Sequence, residues 1–403
     1  MSKVAKVALF TNEYPPNVYG GAGVHVEYLA RAMAKRLAVE VRCFGNQRSE
    51  SGNPVVRGYP AWAEAKVGTD PRFGSAVDAY ARSLAMAKDT LDADVAHCHT
   101  WYTDMAGLIA SRLWDVPFVL TVHSLEPLRP WKVEQLGNAY HLSTWMERTA
   151  MEHADAIIAV SKETREDILR LFDVQPARVH VIHNGIDPDE YRRTEAKDAL
   201  ARHGVDPDKP YLLFVGRITR QKGIIHLVNA IPQIDPDLQI VLCAGAPDTP
   251  EIGQEMEARV AEVSARRKGV VWVREMLPRA DVIQFYNHAA IFCCPSVYEP
   301  FGIINLEAMA CETPVVASAV GGIPEVVVPE ETGLLVDPRI RAGSFDPADP
   351  AEFSAGLAAA INRLARDPEL RARLAANGRR RAVEQFSWDA IAERTVELYQ
   401  TLR

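Results

Sequence analysis

Residues 290–307 read AIFCCPSVYEPFGIINLE, and this stretch is the most informative feature of the sequence. Its opening apolar run is typical of a buried strand, and residues 303–311 are typical of a helix. Glu299 is therefore predicted in the loop at the carboxyl end of a strand, and Glu307 in the first turns of the next helix. Ligands of open α/β sheets bind at this edge. The pattern predicts a binding site around the two carboxylates.

The start of the predicted helix supplies a second binding feature. Backbone N–H groups at a helix N-terminus suit a phosphate, and here they belong to Gly302, Ile303 and Ile304. An anion site beside two acidic side chains indicates a ligand that carries both phosphate and hydroxyl groups. A sugar nucleotide has this chemistry.

The composition indicates a two-domain protein. A chain of 403 residues is longer than one ordinary domain. Because 48% of its residues are hydrophobic, it can form two hydrophobic cores. The net charge of -8 argues against a general binder of nucleic acid or membrane surfaces, and Arg379-Arg380-Arg381 is interpreted as a solvated helix face. Six cysteines without a C-x-x-C pair are typical of reduced core thiols. With no signal peptide or membrane-spanning stretch expected, we predict a cytoplasmic location.

Apolar runs of strand length alternate with helix-length segments along the whole chain. This alternation predicts an α/β protein whose parallel sheets are covered on both faces. The Pro- and Asp-rich stretch 184–210 marks the boundary between domains. The predicted N-terminal domain is 1–190, and the predicted C-terminal domain is 200–385. The last helix, 388–403, has apolar residues at helical spacing and is predicted to pack on the first domain.

A glycine-rich loop, YGGAGVH at 19–25, follows the first predicted strand. Gly21 and Gly23 would let backbone N–H groups approach a phosphate closely, with a helix from about Val24 to Leu37 after them. A nicotinamide-dinucleotide fingerprint fails, because its third glycine would fall at Val26 and no acidic residue ends the second strand. A tight turn without a ligand is the alternative.

A second loop, FVGRITRQKG at 214–223, places cations after another predicted strand. Arg217 and Lys222 can reach a diphosphate from one side. A departing diphosphate needs its charge offset by a metal or by protein cations. Because this loop shares the sheet edge of Glu299, we interpret it as a diphosphate site. A solvated loop with ordinary charges is the alternative.

Metal ligation is not the favoured interpretation of the acidic and histidine-rich clusters. Three of the four Asp-x-Asp triplets are Asp-Pro-Asp, which is typical of turns and helix caps. In His97-Cys98-His99 the imidazoles share one face of a strand and the thiol points to the other, which argues against zinc. His99, at the end of its strand, could still line the binding cleft.

Two further polar residues follow apolar strands. His123 opens a polar loop and is a candidate site residue as well as a candidate structural one. Asp104 follows HTWYT at 99–103 and is either a site residue or a helix N-cap.

These segments together resemble the retaining glycosyltransferases of the GT-B fold, family four. The resemblance rests on the glycine loop, the Glu-x7-Glu pair with Phe-Gly inside it, VGR at 215–217 with KG at 222–223, VSK at 160–162, HNGID at 183–187, PVVA at 314–317, GGIPE at 321–325 and GLLV at 333–336. It covers nearly the whole chain. EYPP at 13–16, HTWYT at 99–103 and HSLEPLRPWK at 123–132 are similar to the short, actinobacterial-type bacterial glycogen synthases.

The resemblance implies two Rossmann-like domains that face a central cleft, with a nucleotide-sugar donor bound mainly by the second domain. It implies that Arg217 and Lys222 hold the donor diphosphate and that Glu307 hydrogen-bonds the ribose hydroxyls. Glu299 would contact the donor sugar near the reacting centre. His123 would lie by the sugar and help to stabilise its developing positive charge.

The resemblance further implies that Gly21 and Gly23 let the first domain approach the diphosphate. The implied activity is α-retaining transfer of glucose from ADP-glucose to glucose-1-phosphate, which gives maltose-1-phosphate, to an α-glucan such as glycogen, or to both. No cofactor or metal is implied, because protein cations offset the charge of the leaving group. A homodimer is compatible with the sequence.

The sequence does not decide which acceptor substrate is used. A glucose-1-phosphate acceptor needs cations in the first domain, and the acceptor candidates are Asp104, Arg129 and Lys132. A glucan would instead need exposed aromatic rings, of which the sequence offers Trp62, Trp101, Trp131, Tyr140 and Trp145.

Two other functions stay open. One is a family-four transferase of the sucrose-phosphate or trehalose type that uses UDP-glucose, and the other is a nucleotide-sugar-binding protein without turnover. Val18 stands where the classical bacterial glycogen synthases have a lysine, which favours family four over the classical group.

Overall fold

The computed structural model describes residues 4–62, 72–341 and 344–402. The chain divides into two units, of which unit 1 comprises Met1–Gly185 with Trp388–Arg403 and unit 2 comprises Ile186–Ser387. The C-terminal helix therefore belongs to unit 1, together with the N-terminal part of the chain.

The described part of unit 1 holds an eight-stranded sheet in which only the short first strand of the order is antiparallel to its neighbour. The order is β3-β4-β2-β1-β5-β6-β7-β8. The strands are β1 Lys6–Thr11, β2 Ala38–Phe44, β3 Arg48–Ser49, β4 Val55–Tyr59, β5 Val95–His99, β6 Phe118–Val122, β7 Ala156–Ala159 and β8 Val179–Val181. Their central members are almost wholly buried, as parallel strands covered on both faces must be.

Helices connect these strands. They are α1 Gly21–Met33, α2 Phe73–Lys88, α3 Trp101–Trp114, α4 Lys132–Leu136, α5 Ala139–His153 and α6 Lys162–Leu171, with 3-10 turns at Glu126–Leu128 and Pro176–Arg178. The helix predicted from about Val24 begins three residues earlier, because the glycine loop itself forms the first turn with Gly20 as N-cap.

The described part of unit 2 holds a six-stranded, all-parallel sheet in the order β11-β10-β9-β12-β13-β14. The strands are β9 Tyr211–Arg217, β10 Gln239–Gly245, β11 Val270–Val273, β12 Ile291–Cys294, β13 Val315–Ser318 and β14 Gly333–Val336. The helices are α7 Asp198–Arg202, α8 Ile224–Ala230, α9 Pro250–Arg266, α10 Arg279–His288, α11 Ile303–Ala310, α12 Ile323–Val326, α13 Pro350–Arg366 and α14 Pro368–Gln385, with a 3-10 turn at Ile231–Gln233. The last helix of the chain, α15 Trp388–Thr401, lies in unit 1.

Local sequence sets where several of these elements begin. The helices α9, α13 and α14 each start with proline after a capping side chain, supplied by Thr249, Asp349 and Asp367. The three Asp-Pro-Asp triplets are turns, as predicted, because the first aspartate of each accepts a hydrogen bond from the N–H of the third. All six cysteines are buried and free, which confirms the prediction of reduced core thiols.

The interpretation of Arg379-Arg380-Arg381 as a solvated face was wrong for two of the three residues. In α14, Arg379 donates hydrogen bonds to the carbonyl oxygens of Pro188, Tyr191 and Ala310. Arg381 donates to the carbonyl oxygens of Glu325 and Val326. These guanidinium groups satisfy backbone acceptors at loop and helix ends, which sequence spacing does not reveal.

Within the described residues, no helix combines the length and the apolar character that a membrane crossing requires.

We predict that Arg42→Ala destabilises unit 1 by about 3 kcal/mol or more, because it breaks a buried ion pair. The fully buried Arg42 in β2 bonds Glu40 at 2.9 Å and donates to the carbonyl oxygens of Met86, Asp89 and Thr90. Chemical denaturation followed by circular dichroism measures the loss. Arg48→Ala, at an exposed pair with Glu50, is the matched control and is expected to change stability by less than about 0.5 kcal/mol. Equal effects of the two substitutions would contradict a structural role for the buried pair.

Candidate active site

Two neighbouring strands of unit 2 bring a lysine and a glutamate together. The strands β9 and β12 pair in parallel, so the loops that follow them leave the same edge of the sheet. Lys222 Nζ lies 2.6 Å from Glu299 Oε2, and Ser296 Oγ donates to the same oxygen at 3.1 Å. Both charged side chains are largely buried. The cation and the carboxylate predicted for the donor site therefore form one ion pair.

Two glycines make this approach of the loops possible. Gly223 has φ +60°, and a Cβ there would lie 2.1 Å from the carbonyl oxygen of Pro295. Gly321 has φ +56°, and a Cβ there would lie 1.9 Å from the carbonyl oxygen of Glu299. The N–H of Gly322 donates to that same oxygen at 3.0 Å. The glycine pair 321–322 thus holds the Glu299 backbone, a role that the sequence analysis missed.

Arg217, the last residue of β9, has a carboxylate partner that sequence reasoning did not identify. Its Nη1 lies 2.9 Å from Asp248 Oδ1, and the Asp248 side chain is buried. Asp248 follows β10, the strand next to β9, at the same sheet edge. Its position after a buried strand could have identified Asp248 as a site residue. A single aspartate in a turn-rich segment is common, however, and does not by itself indicate a site.

Glu307 lies in α11, where two tyrosines bind its carboxylate. Tyr191 Oη donates to Oε1 and Tyr286 Oη donates to Oε2, both at 3.0 Å. Burial raises the pKa of Glu307, and the two hydroxyl hydrogen bonds oppose that shift. Neither tyrosine was predicted as a site residue.

The start of α11 has the geometry predicted for it. Gly302 is the N-cap, and Ile303 and Ile304 are the first two helical residues. The side chain of Asn305, fully buried beside Gly302, has no hydrogen-bond partner for either amide atom within the described part of the chain. An unsatisfied buried amide at a helix N-terminus fits a polar ligand.

In unit 1, three histidines from different elements converge. His123 directly follows β6, His99 ends β5, and His25 lies in α1. His123 Nε2 lies 3.1 Å from His99 Nδ1, and the rings of His25 and His123 are in edge contact. Burial lowers the pKa of His123 well below its ordinary value, with smaller contributions from neighbouring histidines. Burial therefore favours the neutral imidazole of His123 over the charged one.

The glycine loop of unit 1 binds a carboxylate of the chain itself. Glu13 Oε2 accepts hydrogen bonds from the N–H groups of Tyr19 and Gly20, both at 2.7 Å. At Gly23, a Cβ would lie 2.7 Å from Glu13 Oε2, whereas space around Gly21 is open. The N–H groups at the start of the loop therefore bind an anion, which is the Glu13 side chain.

The acceptor candidates lie in the polar region around α3 and α4. Asp104 is in the first turn of α3 and is buried, and burial raises its pKa well above the ordinary value. It does not cap the helix, since the N-cap is Thr100. Arg129 pairs with the buried Glu126 at 3.3 Å and donates to Ser124. Lys132 is the first residue of α4 and is half-buried.

Two family models match successive parts of the chain. Residues 19–190 match Glycosyltransferase Family 4, and residues 196–381 match Glycosyl transferases group 1. A protein from Mycolicibacterium smegmatis named alpha-maltose-1-phosphate synthase is 49% identical, and the alignment covers 98% of this chain and 99% of that protein.

The chain belongs to the family 4 glycosyltransferases. A glycogen synthase of Mycobacterium tuberculosis is 29% identical, with 98% of this chain and 94% of that protein covered. The solved sucrose-phosphate synthase from Thermosynechococcus elongatus superposes with a TM-score of 0.76 at 27% identity, covering 99% of both chains. The predictions of a glycosyltransferase and of an α/β fold with two Rossmann-like parallel-sheet domains are confirmed.

We predict that Glu307→Gln raises the thermal midpoint of this family 4 enzyme near neutral pH. A carboxyl group whose pKa is higher in the folded state than in the unfolded state costs stability once the unfolded chain has ionised. The wild type should therefore lose stability relative to the variant as the pH rises from the ordinary glutamate value of 4.5 through the raised pKa.

Thermal unfolding of both proteins between pH 4 and pH 8 measures this difference. Glu255→Gln, at an exposed position of α9, is the control and is expected to follow the wild type. A Glu307→Gln curve parallel to that of the wild type would show that the pKa is not raised.

Proposed function

We propose that the chain is an α-retaining glucosyltransferase that moves glucose from ADP-glucose to glucose-1-phosphate, to glycogen, or to both. Transfer to glucose-1-phosphate gives maltose-1-phosphate. The observation that carries this proposal is the 49% identity, over nearly the full length, to a protein named alpha-maltose-1-phosphate synthase. The choice of ADP-glucose follows from the resemblance to the short bacterial glycogen synthases.

In this proposal the donor binds at the sheet edge of unit 2. Arg217 and Lys222 hold the diphosphate, and the N–H groups at the start of α11 contact its oxygens. Glu307 accepts hydrogen bonds from the ribose hydroxyls, while Glu299 contacts the glucose. Support comes from the Lys222–Glu299 ion pair, in which a cation and a carboxylate lie 2.6 Å apart at this edge.

The reaction needs no covalent enzyme intermediate. The bond from glucose C1 to the diphosphate oxygen breaks, and a bond from C1 to the acceptor hydroxyl oxygen forms on the same face. The acceptor proton passes to the leaving phosphate oxygen. Retaining glycosidases use two carboxyl groups about 5–5.5 Å apart, but here Glu299 is paired with Lys222 and Glu307 with two tyrosines. The protein contributes positioning and charge stabilisation instead.

His123 would stabilise the positive charge that develops on the donor sugar. A protonated imidazole would repel that charge, and burial keeps the pKa of His123 low. The acceptor phosphate would be bound by Arg129 and Lys132. No metal is needed in this scheme, because Arg217 and Lys222 offset the charge of the leaving diphosphate.

We predict that ADP-glucose supports transfer without added metal. The assay combines ADP-glucose or UDP-glucose with glycogen, glucose-1-phosphate or fructose-6-phosphate, and measures nucleotide release and product. We expect ADP release with glucose-1-phosphate or glycogen. Transfer only to fructose-6-phosphate would overturn the proposed activity, and a strict dependence on magnesium would contradict the role of the two cations.

We predict that Arg217→Ala lowers turnover by about a hundredfold or more, the scale for loss of one preorganised charge contact. Steady-state kinetics under saturating donor measure the change. Arg220→Ala, at an exposed position of the same loop, is the matched control and should retain near-native turnover. Near-native turnover in the Arg217 variant would refute its role.

A UDP-glucose-dependent transferase of the sucrose-phosphate type is the second candidate. The similarity to the solved sucrose-phosphate synthase favours it, although at lower identity than the alpha-maltose-1-phosphate synthase relative. The fructose-6-phosphate arm of the assay separates the two.

A further inference from the structure

His25, His99 and His123 form a cluster that the transfer reaction does not account for. Each offers one ring nitrogen, and these three nitrogens all lie within 4.8 Å of one another. The side chains come from α1, from the end of β5 and from the residue after β6, so the sheet and its first helix fix the cluster.

Two of the imidazoles have an unused nitrogen in the protein interior. The residues His25 and His99 are 3% and 0% exposed, and the Nε2 atom of each has no hydrogen-bond partner within residues 4–62, 72–341 and 344–402. Buried polar atoms are rarely left without a partner, so each such atom calls for an explanation. A cation bound in the cluster would supply a partner for any such atom that faces it.

The hydrogen bond of His25 is of the kind made by histidines that bind a metal, whereas His99 Nδ1 and His123 Nε2 are hydrogen-bonded to each other at 3.1 Å, a contact that a bound cation would replace. The other nitrogen of His25, Nδ1, lies 2.6 Å from Asn184 Oδ1 and donates to it. Such a bond from the second ring nitrogen to an oxygen orients the imidazole and leaves Nε2 with its lone pair. Asn184 is itself buried.

The neighbouring potential ligands are excluded by their own bonds. His97 Nδ1 lies 2.5 Å from Tyr399 Oη, and His97 Nε2 lies 2.7 Å from Thr121 Oγ1. The Cys98 thiol donates to the carbonyl oxygen of Thr103. The ligand set is therefore His25, His99 and His123, not the His97-Cys98-His99 run that the sequence displays.

The ring separations fit one tetrahedral ion. The centroid distances are 5.3 Å for His25–His99, 4.6 Å for His25–His123 and 5.4 Å for His99–His123. Three imidazoles on a single zinc ion, with Zn–N bonds of about 2.0–2.1 Å, have centroids roughly 5 Å apart.

The protonation state of the cluster also suits a cation. Burial lowers the pKa of His25 to about 4 and moves the pKa values of His99 and His123 well below the ordinary value. Metal ligation requires neutral imidazoles. The lowered pKa values favour the neutral rings, and each neutral ring has one N–H and one nitrogen with a free lone pair.

We propose that His25, His99 and His123 bind one zinc-like transition-metal cation, with water in a fourth position on the side of the half-buried His123. Imidazole favours Zn²⁺, Cu²⁺ and Ni²⁺, whereas Mg²⁺ prefers oxygen ligands. Because His123 acts on the donor sugar in the proposed function, the occupied site blocks transfer. The expected block of transfer rests on the proposed function, whereas the binding of the metal does not.

The first experiment measures binding without substrate. The full chain, with any affinity tag removed, is titrated with Zn²⁺ against a chromophoric chelator and with Co²⁺ for the visible absorption of tetrahedral coordination. We expect one equivalent to bind. His25→Gln should weaken Zn²⁺ binding at least about 100-fold, and Asn184→Ala by about 10–100-fold, the scale for an outer-shell partner.

The control is His141→Gln, at an exposed histidine of α5, which should bind as the wild type does. Circular dichroism verifies the fold of each variant, and the Co²⁺ spectrum of the wild type tests the site independently of any variant. Absence of a tetrahedral Co²⁺ spectrum, or equal Zn²⁺ affinity of the wild type and a folded His25→Gln variant, would overturn the proposal.

The second experiment measures transfer with Zn²⁺ or Mg²⁺ at the concentration that fills the site. We expect Zn²⁺ to abolish transfer in the wild type and Mg²⁺ to leave it unchanged. Tight binding with full activity would retain the metal site and remove His123 from the reaction. Normal transfer without any Zn²⁺ binding would refute the metal site and leave the proposed function intact.

Discussion

The parallel pairing of β9 with β12 is the constraint on which the site in unit 2 depends. These strands are not consecutive in the chain, yet Leu212 lies opposite Ile291 and Leu213 opposite Phe292. Their carboxyl ends therefore share one sheet edge. Lys222 and Glu299, 77 positions apart, meet there as a largely buried ion pair. Removing either partner would leave a charge without compensation, so the pair also fixes the two loops.

Two cations and one glycine loop were predicted to bind the phosphates of the donor. Each of them binds a carboxylate of the chain itself. Asp248 pairs with Arg217, Glu299 pairs with Lys222, and Glu13 accepts from the N–H groups of the glycine loop. These contacts satisfy buried cations and donors when no ligand is bound. In the proposed function, a bound diphosphate would share or replace these contacts.

Burial lowers the pKa values of the clustered histidines in unit 1. This lowering bears on both the proposed transfer reaction and the proposed metal site. At His123, the lowered pKa favours the neutral ring that the proposed function requires beside a positively charged sugar. In the neutral state, His25, His99 and His123 each have one ring nitrogen with a lone pair, and one ring nitrogen of each lies within 4.8 Å of the other two, as the proposed metal site requires. Both uses draw on His123, so they exclude each other.

The sequence by itself determined the alternation of strands and helices, the place of Glu299 and Glu307 after β12, and the Asp-Pro turns. These features depend on residue periodicity and on capping within a few positions. Only the tertiary structure decided the partners, among them Asp248 for Arg217 and the two tyrosines for Glu307. The physical reason is that such contacts join residues far apart in the chain, and strand order, which local sequence does not encode, brings them together.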